Sequence, residues 1–215
     1  ALGSALALGL ALHRRGAEVQ VSFGAPARPA ESLRDLDVDG NGFQFTNVDD
    51  SNIFFDINND GWRERMSWPK PGDGLLAFDA DGNGLIERGS EIAFAQYVPG
   101  AQSDLEGLRA FDTNRDGQLT AADEQWAKFG IWQDADQDGV TDAGEFQSLG
   151  AMGVVSVSLT SDGQFSIVDG NTIQGVAKLT LADGSTLNAA DVIARYTNDV
   201  LVQNADGTSQ VVTRQ

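Results

Sequence analysis

Five stretches of this sequence place an oxygen-bearing side chain at every second residue and then a glycine. They begin at Asp37, Asp56, Asp79, Asp112 and Asp134 and are numbered loops 1 to 5 below. A chain wrapping a hard cation needs this pattern. Side chains 1, 3 and 5 point inward, glycine at 6 makes the sharp turn, carbonyl 7 and residue 9 contribute, and a carboxylate at 12 closes the shell. Loop 5 meets every requirement, with Asp134, Asp136, Asp138, Gly139, the Val140 carbonyl, Asp142 and Glu145. Five carboxylates so close together repel one another, which favours opening the loop when no cation is present.

The other loops depart from the pattern by degrees. Loop 4 offers Asp112, Asn114, Asp116, the Gln118 carbonyl and Thr120, with the shorter Asp123 at position 12 and Glu124 beside it as a competitor. Loop 3 offers Asp79, Asp81, Asn83, the Leu85 carbonyl and Glu87, and its closing carboxylate, Glu91, comes one residue late. Loop 1 (Asp37, Asp39, Asn41) and loop 2 (Asp56, Asn58, Asp60) lack a carboxylate at position 12. These two either borrow one from Asp49, Asp50, Glu64 or Asp73, or are Asx-rich turns without metal.

The composition favours a cation as ligand. The 215 residues carry a formal charge of −18, and 25 of the 32 acidic residues lie within 31–145. Such a field attracts cations and repels nucleic acid and anionic membranes. Cysteine is absent, which excludes disulfides, thiolate metal sites and cysteine nucleophiles. The single histidine, His13, is far from the loops, which argues against a Ser-His-Asp triad or a histidine zinc centre there. The apolar run 1–12 is too short to span a bilayer, and its positive residues follow it, whereas those of a secretory signal come first. Without an initiator Met, the sequence reads as a piece of a longer chain.

The elements that must position the loops read as α+β: short helices and EF-hand-like loops packed with antiparallel hairpins. Residues 1–31 form an N-terminal segment, with a strand-like alternation at 19–23 and an extended linker set by Pro26 and Pro29. Residues 32–153 form the loop domain. Apolar spacing predicts helices over 105–111, 121–132 and 145–152. Residues 154–215 read as β-rich and packed on the loop domain, with strands at 154–159, 176–181 and 200–202. Turns are predicted at Asp162-Gly163, Asp169-Gly170, Asp183-Gly184 and Asp206-Gly207, and a short helix at 189–195 capped by Asn188. Trp62, Trp68, Trp126 and Trp132 read as core anchors beside the loops.

The ordered blocks resemble a known family. Leu36 to Gly42, Phe55 to Gly61, Asp73 to Asp79, Gly89-Ser90-Glu91, Phe111 to Gly117, Ile131 to Asp134 and Gly144-Glu145-Phe146 are similar to the calcium-dependent, self-processing type of module in iron-regulated, FrpC-like RTX proteins. The resemblance implies export by type I secretion and folding on extracellular calcium. Some members of that family cleave themselves at an Asp-Pro bond before the first loop. The five prolines here follow Ala25, Arg28, Trp68, Lys70 and Val98, and Ser32-Leu33 stands where the scissile pair would fall. The likeness therefore does not imply cleavage, and no enzymatic activity is expected.

The expected function is a calcium-binding structural module of a secreted or cell-surface adhesin or toxin. It would be monomeric, with about three calcium ions and up to five. Another protein, or other segments of the parent chain, would be its partner. The alternatives are a calcium-dependent self-processing enzyme and a dockerin-like docking pair, in which loops 4 and 5 share a helix over 121–133.

Overall fold

A computed structural model describes residues 32–214; the expected N-terminal segment over 1–31 lies outside them. In chain order the strands are β1 (Ser32–Asp37), β2 (Phe45–Thr46), β3 (Phe54–Phe55), β4 (Arg63–Met66), β5 (Trp68–Pro69), β6 (Gly74–Phe78), β7 (Gln118–Thr120), β8 (Phe129–Trp132), β9 (Phe146–Ser148) and β10 (Val154–Ser158). They continue with β11 (Ser166–Val168), β12 (Asn171–Leu181), β13 (Thr186–Ile193), β14 (Tyr196–Gln203) and β15 (Ser209–Thr213). One short helix, α1 (Asp104–Leu108), lies between β6 and β7.

Most strands share one antiparallel sheet in the order β7-β10-β12-β13-β1-β6-β8-β9, with β11 also paired to β12. A second sheet runs β15-β14-β4-β3, and β2 pairs with β5. The central strands β1 and β13 come from opposite ends of the described chain, in register from Ser32–Ile193 to Asp37–Asn188. Strand β6 is buried along its whole length and carries an unbroken apolar run, as a strand covered on both faces should. On one face Leu76, Phe78, Phe94, Leu108, Phe111, Phe129 and Ile131 form the larger core. On the other, Phe55, Trp68 and Trp132 pack with ring centroids 5.3–5.8 Å apart.

The α+β expectation is therefore wrong, because the described chain is nearly all β. Of the helix predicted over 105–111, one turn and a little more forms at α1, started by Ser103 Oγ accepting the Glu106 N–H at 3.2 Å. Residues 121–132 contain a single 3₁₀ turn (Trp126–Lys128) and then strand β8. Phe129 and Ile131 enter one core and Trp132 the other, so a two-faced strand imitates helical spacing in a short apolar run. Residues 146–148 form β9 rather than the start of a helix. Ala189 and Ala190 are helix formers by propensity, but they lie in β13, hydrogen-bonded to strands on both sides. The predicted strands at 176–181 and 200–202 fall within β12 and β14, and the one at 154–159 matches β10 except at its last residue. At Asp169-Gly170 both residues have positive φ, 48° and 83°, the conformation of a tight two-residue hairpin.

The tryptophans divide by position. Trp68 and Trp132 are 1% exposed, whereas Trp62 is 41% exposed. Trp132→Ala is expected to lower unfolding free energy by about 3–5 kcal/mol in urea denaturation, and Trp62→Ala by less than half as much.

Candidate metal centres

Strands take the place of the incoming helices of an EF-hand. β1 ends at Asp37, the first residue of loop 1; β3 leads directly to Asp56 of loop 2; β6 leads directly to Asp79 of loop 3; β8 ends at Trp132, with Gln133 alone between it and Asp134 of loop 5. Loop 4 follows Phe111, just beyond α1.

All five loops share one backbone course. Position 4 has positive φ in each: Gly40 78°, Asn59 56°, Gly82 78°, Arg115 59° and Gln137 62°. Position 6 has positive φ as well, from 70° at Gly139 to 94° at Gly42. The non-glycine residues at position 4 adopt this conformation at a cost of roughly 1–2 kcal/mol each. In every loop the position 1 carboxylate accepts the position 6 amide, at 3.1 Å in Asp37, 2.9 Å in Asp56, 3.0 Å in Asp79, 2.9 Å in Asp112 and 2.9 Å in Asp134. The first carboxylate thus curls the chain back on itself, and in loops 1 and 4 the side chains of positions 3 and 5 hydrogen-bond to each other.

Four loops gather three carboxylates whose oxygens lie within 4.8 Å of one another. In loop 5 these are Asp134, Asp136 and Glu145. Glu145 is held in place by the amides of positions 2 and 9, Ala135 N–H at 2.8 Å and Asp142 N–H at 2.9 Å. In loop 3 they are Asp79, Asp81 and Glu91. Here the late carboxylate reaches in because a 3₁₀ turn (Gly89–Glu91) folds it back onto the Glu87 and Arg88 amides.

In loop 1 the group is Asp37, Asp39 and Asp73, the third residue supplied by strand register. Leu36 pairs with Gly74 across β1 and β6, which sets Asp37 beside Asp73. Gly72 makes the approach possible, since at φ 109° a β-carbon there would stand 2.6 Å from Asp39 Oδ2. Asp73 is 4% exposed; its Oδ2 accepts the Gln44 N–H at 3.1 Å, and its Oδ1 finds no hydrogen-bond partner. In loop 2 the group is Asp56, Asp60 and Glu64, the last at position 9.

The remaining sequence candidates are placed differently. Asp138 Oδ1 accepts the Val140 amide, while Val140 and Leu85 expose their side chains. Asn41, Asn83 and Asn114 donate to Asp39, Glu87 and Asp116, and Asn58 accepts the Asp60 amide. In loop 4, Asp123 holds the amides of positions 2 and 9, Thr113 at 2.8 Å and Thr120 at 2.9 Å, as Glu145 does in loop 5. It is one methylene shorter than Glu145 and makes no carboxylate cluster with Asp112 and Asp116 among the described residues; Glu124 is exposed. Of the four possible lenders, Glu64 and Asp73 join clusters, and Asp49 and Asp50 do not.

Loops 2, 3 and 5 are bonded to one another. Ile86 N–H donates to Thr141 Oγ1 at 2.9 Å, Thr141 Oγ1 donates to the Ile86 carbonyl at 2.9 Å, and Arg63 Nη2 donates to the Gly139 carbonyl at 2.9 Å. Gly89 N–H donates to the Asp56 carbonyl at 3.0 Å. Sequence reading overlooked Asp35, fully buried two residues before Asp37 and so on the same strand face. Neither of its oxygens has a partner at hydrogen-bond geometry. Burial, then Asp73, pushes its carboxyl well above the usual range.

These oxygen-only groups could hold a metal ion. Burial raises the Asp73 carboxyl to about 6, with Asp37 and Asp39 adding to the effect, and burial likewise raises Asp134. A carboxyl raised by folding favours the folded state in its protonated form. That contribution is present below about pH 4 and is lost as pH rises through about 6 in metal-free protein. In chelator, the melting temperature of the wild type relative to Asp73→Asn is therefore expected to fall between pH 4 and pH 7.5. In excess calcium it is expected to rise over the same interval, because the ion binds the ionised form.

The comparisons with known proteins identify a family. The chain is 31% identical over 175 residues to the iron-regulated protein FrpA of Neisseria meningitidis serogroup C, which covers 76% of this chain and 15% of that protein. The chain thus spans less than a fifth of the relative's length. The family model described as the SPM domain matches residues 35–195, a span that contains all five loops, Asp73 and strands β6 to β13. The chain belongs to the SPM domain family.

Proposed function

We propose that this is a calcium-held structural module of an exported RTX-type protein, compact where calcium is plentiful and loose where it is scarce. The observation that carries the reading is Asp73: a buried carboxylate with one unpartnered oxygen, set by strand register against Asp37 and Asp39. Such a group is costly in a folded protein unless a proton or a cation satisfies it. Oxygen-only clusters built on turns suit calcium, which takes a flexible shell of oxygen ligands, better than magnesium, which holds its water and demands a tight octahedron.

Loops 1, 3 and 5 are the proposed tight sites, closed by Asp73, Glu91 and Glu145. Loop 4 is weaker, because Asp123 is committed to backbone amides short of Asp112 and Asp116. At free calcium about ten times the dissociation constant, each site adds on the order of 1.4 kcal/mol, and three add about 4. That is comparable with a typical domain stability of roughly 5–15 kcal/mol. Among the described residues no helix is long and apolar enough to cross a membrane, which says nothing about β-barrels. The parent is proposed to be an adhesin or toxin, and the module its spacer rather than its catalyst. The dockerin-like alternative loses its shared helix over 121–133, where the chain forms a 3₁₀ turn and β8.

Thermal melts of chelator-stripped protein with and without calcium test the reading. Glu145→Gln or Asp134→Ala is expected to remove roughly a third of the calcium-induced rise in melting temperature, and magnesium to reproduce little of it. Asp206→Ala, at a hairpin turn where the carboxylate bonds Thr208, is expected to leave that rise unchanged. Equal effects from all three substitutions would contradict the assignment.

A further inference from the structure

Loop 2 differs from its three counterparts in what stands against its carboxylates. Arg214 Nη1 lies 3.2 Å from Asp60 Oδ2 and 3.4 Å from Glu64 Oε1, between two members of the group that loop 2 would offer to a cation. Its guanidinium carbon also sits 5.1 Å over the Trp62 ring. We propose that loop 2 is a guanidinium site, filled by Arg214 of the same chain, and that it takes no calcium while that arginine is in place. The proposal rests on calcium being the ligand of the other loops.

The surroundings are built for a planar cation. Trp62, at position 7, exposes 41% of its surface and offers an aromatic face to the guanidinium, whose Nη1 donates to the carboxylates of positions 5 and 9. A fork of N–H groups between carboxylates, stacked on indole, is the arrangement that suits arginine better than lysine. Position 12 adds no carboxylate, for Ser67 stands there and donates its hydroxyl to the Thr46 carbonyl at 2.7 Å, so the guanidinium meets two of the three carboxylates grouped at this loop.

Arg214 is also held by the sheet. β14 pairs with β4, placing Val200 opposite Glu64, β15 closes the hairpin back on β14, and the Arg214 N–H donates to the Asn198 carbonyl at 2.8 Å. Loop 3 has an arginine nearby, but Arg88 touches Asp81 alone, at 3.6 Å, and its side chain is 58% exposed. Arg214 lies beyond residues 35–195, so the family model does not describe it. A calcium ion seated on Asp60 and Glu64 would share its oxygens with the guanidinium and be repelled by it; the two cations compete for one place. The site therefore pins the β14–β15 hairpin to the loop region, with or without calcium.

The test counts calcium ions on the full chain after chelation, by titration calorimetry, in wild type, Arg214→Ala and Arg214→Gln. Trp62 emission is taken as the difference from Trp62→Phe counterparts. Both Arg214 variants are expected to bind one more ion per chain than wild type, and the Trp62 signal to respond to calcium only in those variants. Asp56→Ala added to Arg214→Ala is expected to abolish the extra ion. An equal or smaller count in the Arg214 variants overturns the inference. Equal counts above zero sink it alone; no binding by any of the proteins sinks the calcium reading as well.

Discussion

Strand pairing forces carboxylates together that would separate if they were free. Asp37 and Asp73 are neighbours because Leu36 is in register with Gly74, and they part only if β1 leaves β6. The same sheet seats β1 against β13, so the backbone that holds the charges together is also the centre of the fold. Repulsion at loop 1 is therefore applied to the main ladder, not to a loose turn. On the proposed reading, a divalent ion held by Asp37, Asp39 and Asp73 would turn that liability into a clamp between the end of β1 and the turn before β6.

The loops extend this arrangement outward. Each begins at or just beyond the end of a strand or short helix, curls by giving its first carboxylate to its own sixth amide, and then needs a closing carboxylate from whatever the fold provides. Loop 5 finds one at position 12, loop 3 at 13, loop 2 at 9, and loop 1 at the residue just before β6. Because loops 2, 3 and 5 exchange hydrogen bonds through Thr141, Arg63 and Gly89, filling one restrains the geometry of its neighbours. If these loops hold ions as proposed, positive coupling follows, since the second ion would pay less of the cost of ordering the shared backbone.

The parts legible in the sequence were those written locally. Five glycines at position 6, preceded by alternating oxygens, specify a backbone course that all five loops adopt. Asp169-Gly170, Asp183-Gly184 and Asp206-Gly207 close hairpins of the C-terminal half, whereas Asp162-Gly163 lies between β10 and β11, which pair with β12 and not with each other. The helices failed for a physical reason. Phe129 to Trp132 and Ala189 to Ala190 are buried on both faces of a sheet, where apolar spacing cannot separate a strand from a helix. The partners of loops 1 and 2 were narrowed to four residues, but choosing Asp73 and Glu64 required the β1–β6 register and the β3–β4 turn. Asp35 and Arg214 were out of reach. The first needed strand assignment at residues 32–37, and the second lies 150 residues from the carboxylate it meets.

Crystals grown in ample calcium, with data collected to bring out the ion's anomalous scattering, test the central claim most directly. The account predicts peaks bounded by Asp37, Asp39 and Asp73, by Asp79, Asp81 and Glu91, and by Asp134, Asp136 and Glu145. Water alone within the Asp134 to Glu145 turn, in well-ordered density, would contradict it.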